Sequence, residues 1–80
     1  MSDIIKTDTT LDLKGLACPL PVVKVAVGIK QIEIGGVLEA IVTDPGSLSD
    51  MPAWARINGH EILKTEEDGS EIRFYIKRIV

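Results

Sequence analysis

One side chain in this chain can act as a soft nucleophile: Cys18, the single cysteine among 80 residues. It opens the stretch Cys18-Pro19-Leu20-Pro21. Leu11, Leu13, the turn residue Gly15 and Leu16 lead into it, and an apolar helical rhythm begins after it at Val22. Proline fits the first turn of a helix, because amides there have no intrahelical carbonyl to meet. Pro19 and Pro21 therefore mark a helix start, with Cys18 expected at the N-cap or just before it. Unpaired N–H groups and the helix dipole favour negative charge at that place. Cysteines so placed, or beside cations, ionise at roughly pH 3.5–7.5, so an accessible and unusually acidic thiol is expected. A lone cysteine is more often a small buried hydrophobe. Here the prolines hold it at the end of an element instead of inside a periodic apolar face, which favours a chemical role.

The elements that must position this thiol follow from the pattern around it. Thr7, Thr9, Leu11 and Leu13 alternate with polar residues, predicting a half-buried strand over residues 7–13. A helix is expected from Pro19 to Ile32, stopping before Gly35-Gly36. Val22, Val25, Ala26, Ile29 and Ile32 share its inner side, with Lys24, Gly28 and Gln31 opposite. Leu20 and Val27 fall on the outward side beside Lys24. Val37 to Thr43 reads as a second strand ended by Asp44-Pro45-Gly46. A second helix is expected to begin near Ser47 to Asp50, where Ser47 and Asp50 could form a capping box. Pro52 in the first turn favours Ser49 or Asp50 as the cap, with Gly59 just past the end. Residues 60–65 and 71–79 read as two more strands around a 66–70 turn.

The order β-α-β-α-β-β predicts an α+β fold. Right-handed crossovers put both helices on one face of a mixed four-stranded sheet, a two-layer sandwich. The bare face would carry Glu39, Ile41, Tyr75 and Lys77. The first two strands should run parallel, so Gly15 to Pro21, Asp44 to Asp50 and the 66–70 turn gather at one sheet edge, where ligand sites of α/β sheets tend to lie. Asp44 is thus an expected neighbour of Cys18, although turn chemistry alone would explain an aspartate there. Asp12 is read as holding the loop before the thiol.

His60 tests the possibility of Cys-His hydrolase chemistry, which needs the base within hydrogen-bond reach of the sulfur. It should open the third strand at the opposite edge, roughly 17 Å away for five residues at ~3.3 Å each, so a satisfied or solvent-facing histidine is expected. Trp54 is read as a core anchor. Leu20, Val27 and Lys24, next to the thiol, are candidate partner-docking residues.

Composition narrows the classes further. Eighty residues allow a single domain spanning 1–80 with a thin core. One cysteine allows no internal disulfide and no multi-cysteine zinc site, so neither metal nor cofactor is expected, and a reducing cytoplasm is. Residues 1–6 have no secretory-signal pattern, and no run reaches the ~20 apolar residues of a membrane span. Nine basic against twelve acidic side chains disfavour direct nucleic-acid binding, which relies on cationic side chains.

The run Leu11-Asp12-Leu13-Lys14-Gly15-Leu16-Ala17-Cys18-Pro19-Leu20-Pro21 resembles the signature of the TusA/SirA-like sulfur carriers, Cys-Pro-x-Pro after a Leu-Asp…Gly-Leu lead-in. The likeness continues through Asp44-Pro45-Gly46-Ser47, Asp50-Met51-Pro52-Ala53-Trp54 and Gly59-His60. Leu20 stands at a variable position where many members carry Glu. The resemblance implies the same two-layer fold and a sulfur carrier that holds sulfane sulfur on Cys18 as a persulfide. It also implies protein partners: a cysteine desulfurase or rhodanese-like donor, and acceptors in tRNA thiolation, cofactor assembly or sulfur metabolism. The absence of a second cysteine agrees with this, since a neighbouring thiol would resolve the persulfide to a disulfide. Such a protein acts as a sulfurtransferase only in sequence with its partners. Two other classes stay open: a non-catalytic interaction or regulatory module, and a thiol redox sensor oxidised to sulfenic acid or an intermolecular disulfide.

Overall fold

A computed structural model describes residues 6–80; residues 1–5, which carry most of the segment read for a secretory signal, lie outside the described residues. The elements are β1 (Thr9–Leu13), α1 (Leu20–Gly28), a 3-10 turn (Ile29–Gln31), β2 (Val37–Val42), α2 (Ser47–Asn58), β3 (Glu61–Asp68) and β4 (Glu71–Lys77). They form an α+β fold with one mixed sheet in the order β1-β2-β4-β3. β1 runs parallel to β2, and β4 is antiparallel to both β2 and β3. The alternation that predicts half-buried strands is realised in β4, where Ile72, Phe74 and Ile76 are buried and Arg73, Tyr75 and Lys77 are half-buried on the other side. Phe74, Ile76, Leu38, Ala40 and Val42 meet Val25 and Ile29 of the first helical segment and Met51 of α2 in one continuous core.

The bare sheet face holds Glu39, Ile41, Tyr75 and Lys77, as the alternation predicts. Across strands, Arg73 of β4 lies 3.6 Å from Glu39 of β2 and the Tyr75 hydroxyl donates to Glu66 of β3; within β3, Lys64 lies 3.0 Å from Glu66.

Five local expectations are corrected. The first strand starts at Thr9, not residue 7; just before it the Asp8 amide donates to the Val37 carbonyl and the Asp8 carboxylate accepts the Val37 amide, each at 2.8 Å. The first helix is α-helical only to Gly28 and tightens into the 3-10 turn, a common way for a helix to end. Gly28, read as outward, is buried: a Cβ there would stand 2.9 Å from Leu11 Cδ1, so the missing side chain lets α1 approach the sheet. The second helix starts at Ser47, earlier than the Ser49 or Asp50 cap implies. The Asp44, Pro45 and Gly46 carbonyls accept the amides of Ser47, Leu48 and Ser49, leaving no cap for a side chain to make. Finally, β3 continues to Asp68 and β4 ends at Lys77, so the expected 66–70 turn shrinks to Gly69-Ser70, with Gly69 at φ 63°.

Candidate functional site

The register pairs Leu13 with Val42, and Val42 with Ile72, so the ends of β1 and β2 and the start of β4 share one edge. On this edge the chain turns at Gly15 (φ 85°), whose amide donates to Thr43 Oγ1 at 2.9 Å. A side chain at that φ would be strained, so Gly15 is what lets the β1–α1 loop fold back over the end of β2. The Lys14 amide donates to Asp12 Oδ1 at 3.2 Å, so Asp12 braces the same loop.

Cys18 sits on this loop, exposed to solvent, and is followed by Pro19 as the N-cap of α1 and Pro21 within its first turn. Two carboxylates, one from the loop after β2 and one from α2, meet it. Asp44 Oδ2 accepts the Cys18 amide at 2.8 Å, while Asp44 Oδ1 accepts the Gly46 amide at 3.3 Å. Asp44 therefore does turn chemistry and holds the cysteine backbone at once. The Cys18 thiol donates to Asp50 Oδ2 at 2.7 Å. Asp50 is the site residue that sequence reasoning passes over, since Ser-x-x-Asp before a helix reads as a capping pattern. Once the backbone caps α2, the Asp50 carboxylate is left to meet the thiol. Its place on the shared edge was the available signal.

This arrangement corrects the expected acidity of the thiol. The hydrogen bond to Asp50 comes first, followed by desolvation and the negative charges of Asp50 and Asp44; together they push Cys18 above the ordinary thiol range. Among the described residues, nothing at the helix end offsets them. Of its first amides, that of Leu20 is bonded to Ala17, Pro21 has none, and that of Val23 already bonds Pro19. Prolines that mark a helix start also remove donors from it, and two nearby carboxylates then decide the sign.

His60 lies at the far edge, next to Glu61, which pairs with Lys77. Its Nδ1 accepts the Ile79 amide at 3.2 Å, and its ring rests 5.4 Å from that of Trp54. Burial, then the Arg78 charge, lower its pKa; its place at the opposite sheet edge, not its charge state, keeps it from the thiol. Trp54 is half-buried, packed against the core and the histidine. Leu20 and Val27 are 46% and 57% exposed, and Lys24 is exposed between them. Val23, not singled out in the sequence, is 48% exposed and completes an apolar stripe one helical step from each neighbour. Among the described residues, no cluster of His, Cys, Asp and Glu could hold a metal ion, and no helix is long and apolar enough to cross a membrane.

A lone exposed thiol on a two-layer α+β frame, facing carboxylates and flanked by an apolar stripe, defines a small thiol-bearing protein and not a self-contained Cys-His hydrolase. The family described as sulfurtransferase TusA matches residues 9–78, and the chain belongs to that family of sulfur carriers. Sulfur carrier protein TusA of Allochromatium vinosum is 39% identical over 71 residues, covering 89% of this chain and 93% of the relative. YrkF of Bacillus subtilis is 44% identical over 75 residues, covering 94% of this chain; the chain spans only 40% of YrkF. The crystal structure of a SirA-like protein from Desulfitobacterium hafniense superposes with a TM-score of 0.77 at 26% identity, covering 90% of this chain and 99% of that one.

Proposed function

We propose that Cys18 carries sulfane sulfur as a persulfide, taken from one protein and given to another. The observation that supports this reading most is the exposed Cys18 thiol, held through its backbone by Asp44 on an open edge, in a chain with no second cysteine. In loading, the Cys18 sulfur bonds to the outer sulfur of a donor persulfide as the donor's own S–S bond breaks. The donor leaves as a thiol, having taken up the proton that Cys18 gives up, and no oxidant is consumed. Unloading is the same exchange with an acceptor thiol. With no internal thiol to resolve the intermediate, both steps are intermolecular.

Gly15, Pro19, Pro21 and Asp44 position the thiol, and Leu20, Lys24 and Val27, joined by Val23, form the docking surface. A partner cysteine must come within bonding distance of Cys18, so its protein must cover the ground beside it, and that ground is the apolar stripe. The donor is read as a cysteine desulfurase or rhodanese-like protein. The acceptor belongs to tRNA thiolation, cofactor assembly or sulfur metabolism, in a reducing cytoplasm that keeps the thiol free. The test is loading: incubation with a cysteine desulfurase and cysteine should add one sulfur to the wild-type chain and none to Cys18→Ser.

A further inference from the structure

Asp50 reaches the thiol because the start of α2 needs no side-chain cap, and its Oδ2 accepts the S–H hydrogen bond at 2.7 Å. The ionised groups acting on the sulfur are Asp50 from α2 and Asp44 from the loop before it, and both are negative. The cations of neighbouring elements are turned elsewhere. Lys14, on the loop that carries Cys18, lies 3.9 Å from Glu71, and Lys24 of α1 faces solvent. Deprotonating Cys18 would break the bond to Asp50 and place a third negative charge beside two others. An exposed thiol without this neighbour would titrate as a free cysteine does and meet any small disulfide, persulfide or alkylating agent in solution.

We propose that Asp50 guards Cys18, its carboxylate holding the thiol of the free carrier protonated and thereby slowing sulfur loading from small persulfides in solution. The inference rests on Cys18 being the sulfur-bearing residue but concerns its resting state. The reaction held back is glutathione persulfide plus the Cys18 thiol giving glutathione plus the Cys18 persulfide. The new S–S bond forms at Cys18 as that of glutathione persulfide breaks, and the Cys18 proton ends on the departing glutathione sulfur. Asp44 acts differently: its hydrogen bonds go to the backbone amides of Cys18 and Gly46, so it places the residue, and only its charge reaches the sulfur.

The test is the pH dependence of Cys18 alkylation by iodoacetamide in the full chain, wild type against Asp50→Asn, with circular dichroism to check folding. The wild-type midpoint should lie above that of a free cysteine. Asp50→Asn should move it down and raise the rate at pH 7 severalfold, with a parallel gain in loading from glutathione persulfide. Superimposable profiles of two folded proteins would overturn the proposal. So would a wild-type midpoint at or below that of free cysteine, a result that needs no variant to fold. Alkylation requires no sulfur transfer, so these outcomes are independent of whether Cys18→Ser abolishes loading from the desulfurase.

Discussion

Cys18 is chemically useful because of its position, and the residues around it divide into those that place it and those that set its charge. Gly15 and Asp44 place it through backbone bonds; Asp50 sets its protonation. His60 does neither. His60→Ala should load sulfur at the wild-type rate while losing about 1 kcal/mol of stability, the usual net value of a lost hydrogen bond of the kind it accepts from Ile79. Loss of loading in the folded variant would bring the histidine back into the chemistry. At this scale the sequence is legible wherever a residue's job depends on chain order. The lone thiol, its prolines, and the separation of His60 from it follow from the succession of strands and helices. The direction of the thiol's acidity does not, because it depends on which carboxylates cross 26 and 32 residues of chain to reach it. Asp50 has a plausible local job at a helix start, and only the backbone bonds of residues 44–49 show that job already filled.

Helix α1 does two things at once. Its inner side buries Val25, and the 3-10 turn that continues it buries Ile29; its outer side presents Leu20, Val23 and Val27 with Lys24. A helical period explains the inner side and places most of the outer one. Gly28 is the exception, since the absence of a side chain can mean solvent or close contact, and here it means contact with Leu11 and Leu38. The boundaries of α2 and of the last hairpin were less legible for a related reason: backbone groups satisfied one another where side-chain signals pointed a few residues away. The proposed docking role of α1 makes a distinct prediction. Leu20→Glu and Lys24→Glu sit on an exposed surface and should leave the urea midpoint nearly unchanged, within about 0.5 kcal/mol. Each should slow sulfur transfer to the physiological partner, the Lys24 variant with an altered salt dependence, because rim charges act largely on association rate. Wild-type transfer rates in both variants would remove the docking surface from this face.

As a whole molecule the protein is a thin sandwich that keeps one edge open for exchange. The order of elements was legible because apolar periodicity switches cleanly between strand and helix, and the short β1–α1–β2 crossover leaves few ways to pair the strands. The sheet order was not legible: β4 lies between β2 and β3, with Ile72, Phe74 and Ile76 buried on its inner side, a pattern that does not say which strands flank it. Phe74 is the only phenylalanine and is fully buried. Phe74→Ala should cost about 3–5 kcal/mol, a large share of the ~5–15 kcal/mol typical of a domain, and a urea midpoint close to wild type would show the core to be organised otherwise. The central claim, that this frame exists to carry one sulfur on Cys18, is tested most directly by the mass of the intact chain. After incubation with a cysteine desulfurase and cysteine, the wild type should gain about 32 Da and lose it on treatment with dithiothreitol, whose thiolate attacks the new S–S bond. Cys18→Ser, folded, should gain nothing. A wild-type chain that stays at its starting mass while the desulfurase turns over, or a serine variant that takes up the same labile sulfur, would contradict the account.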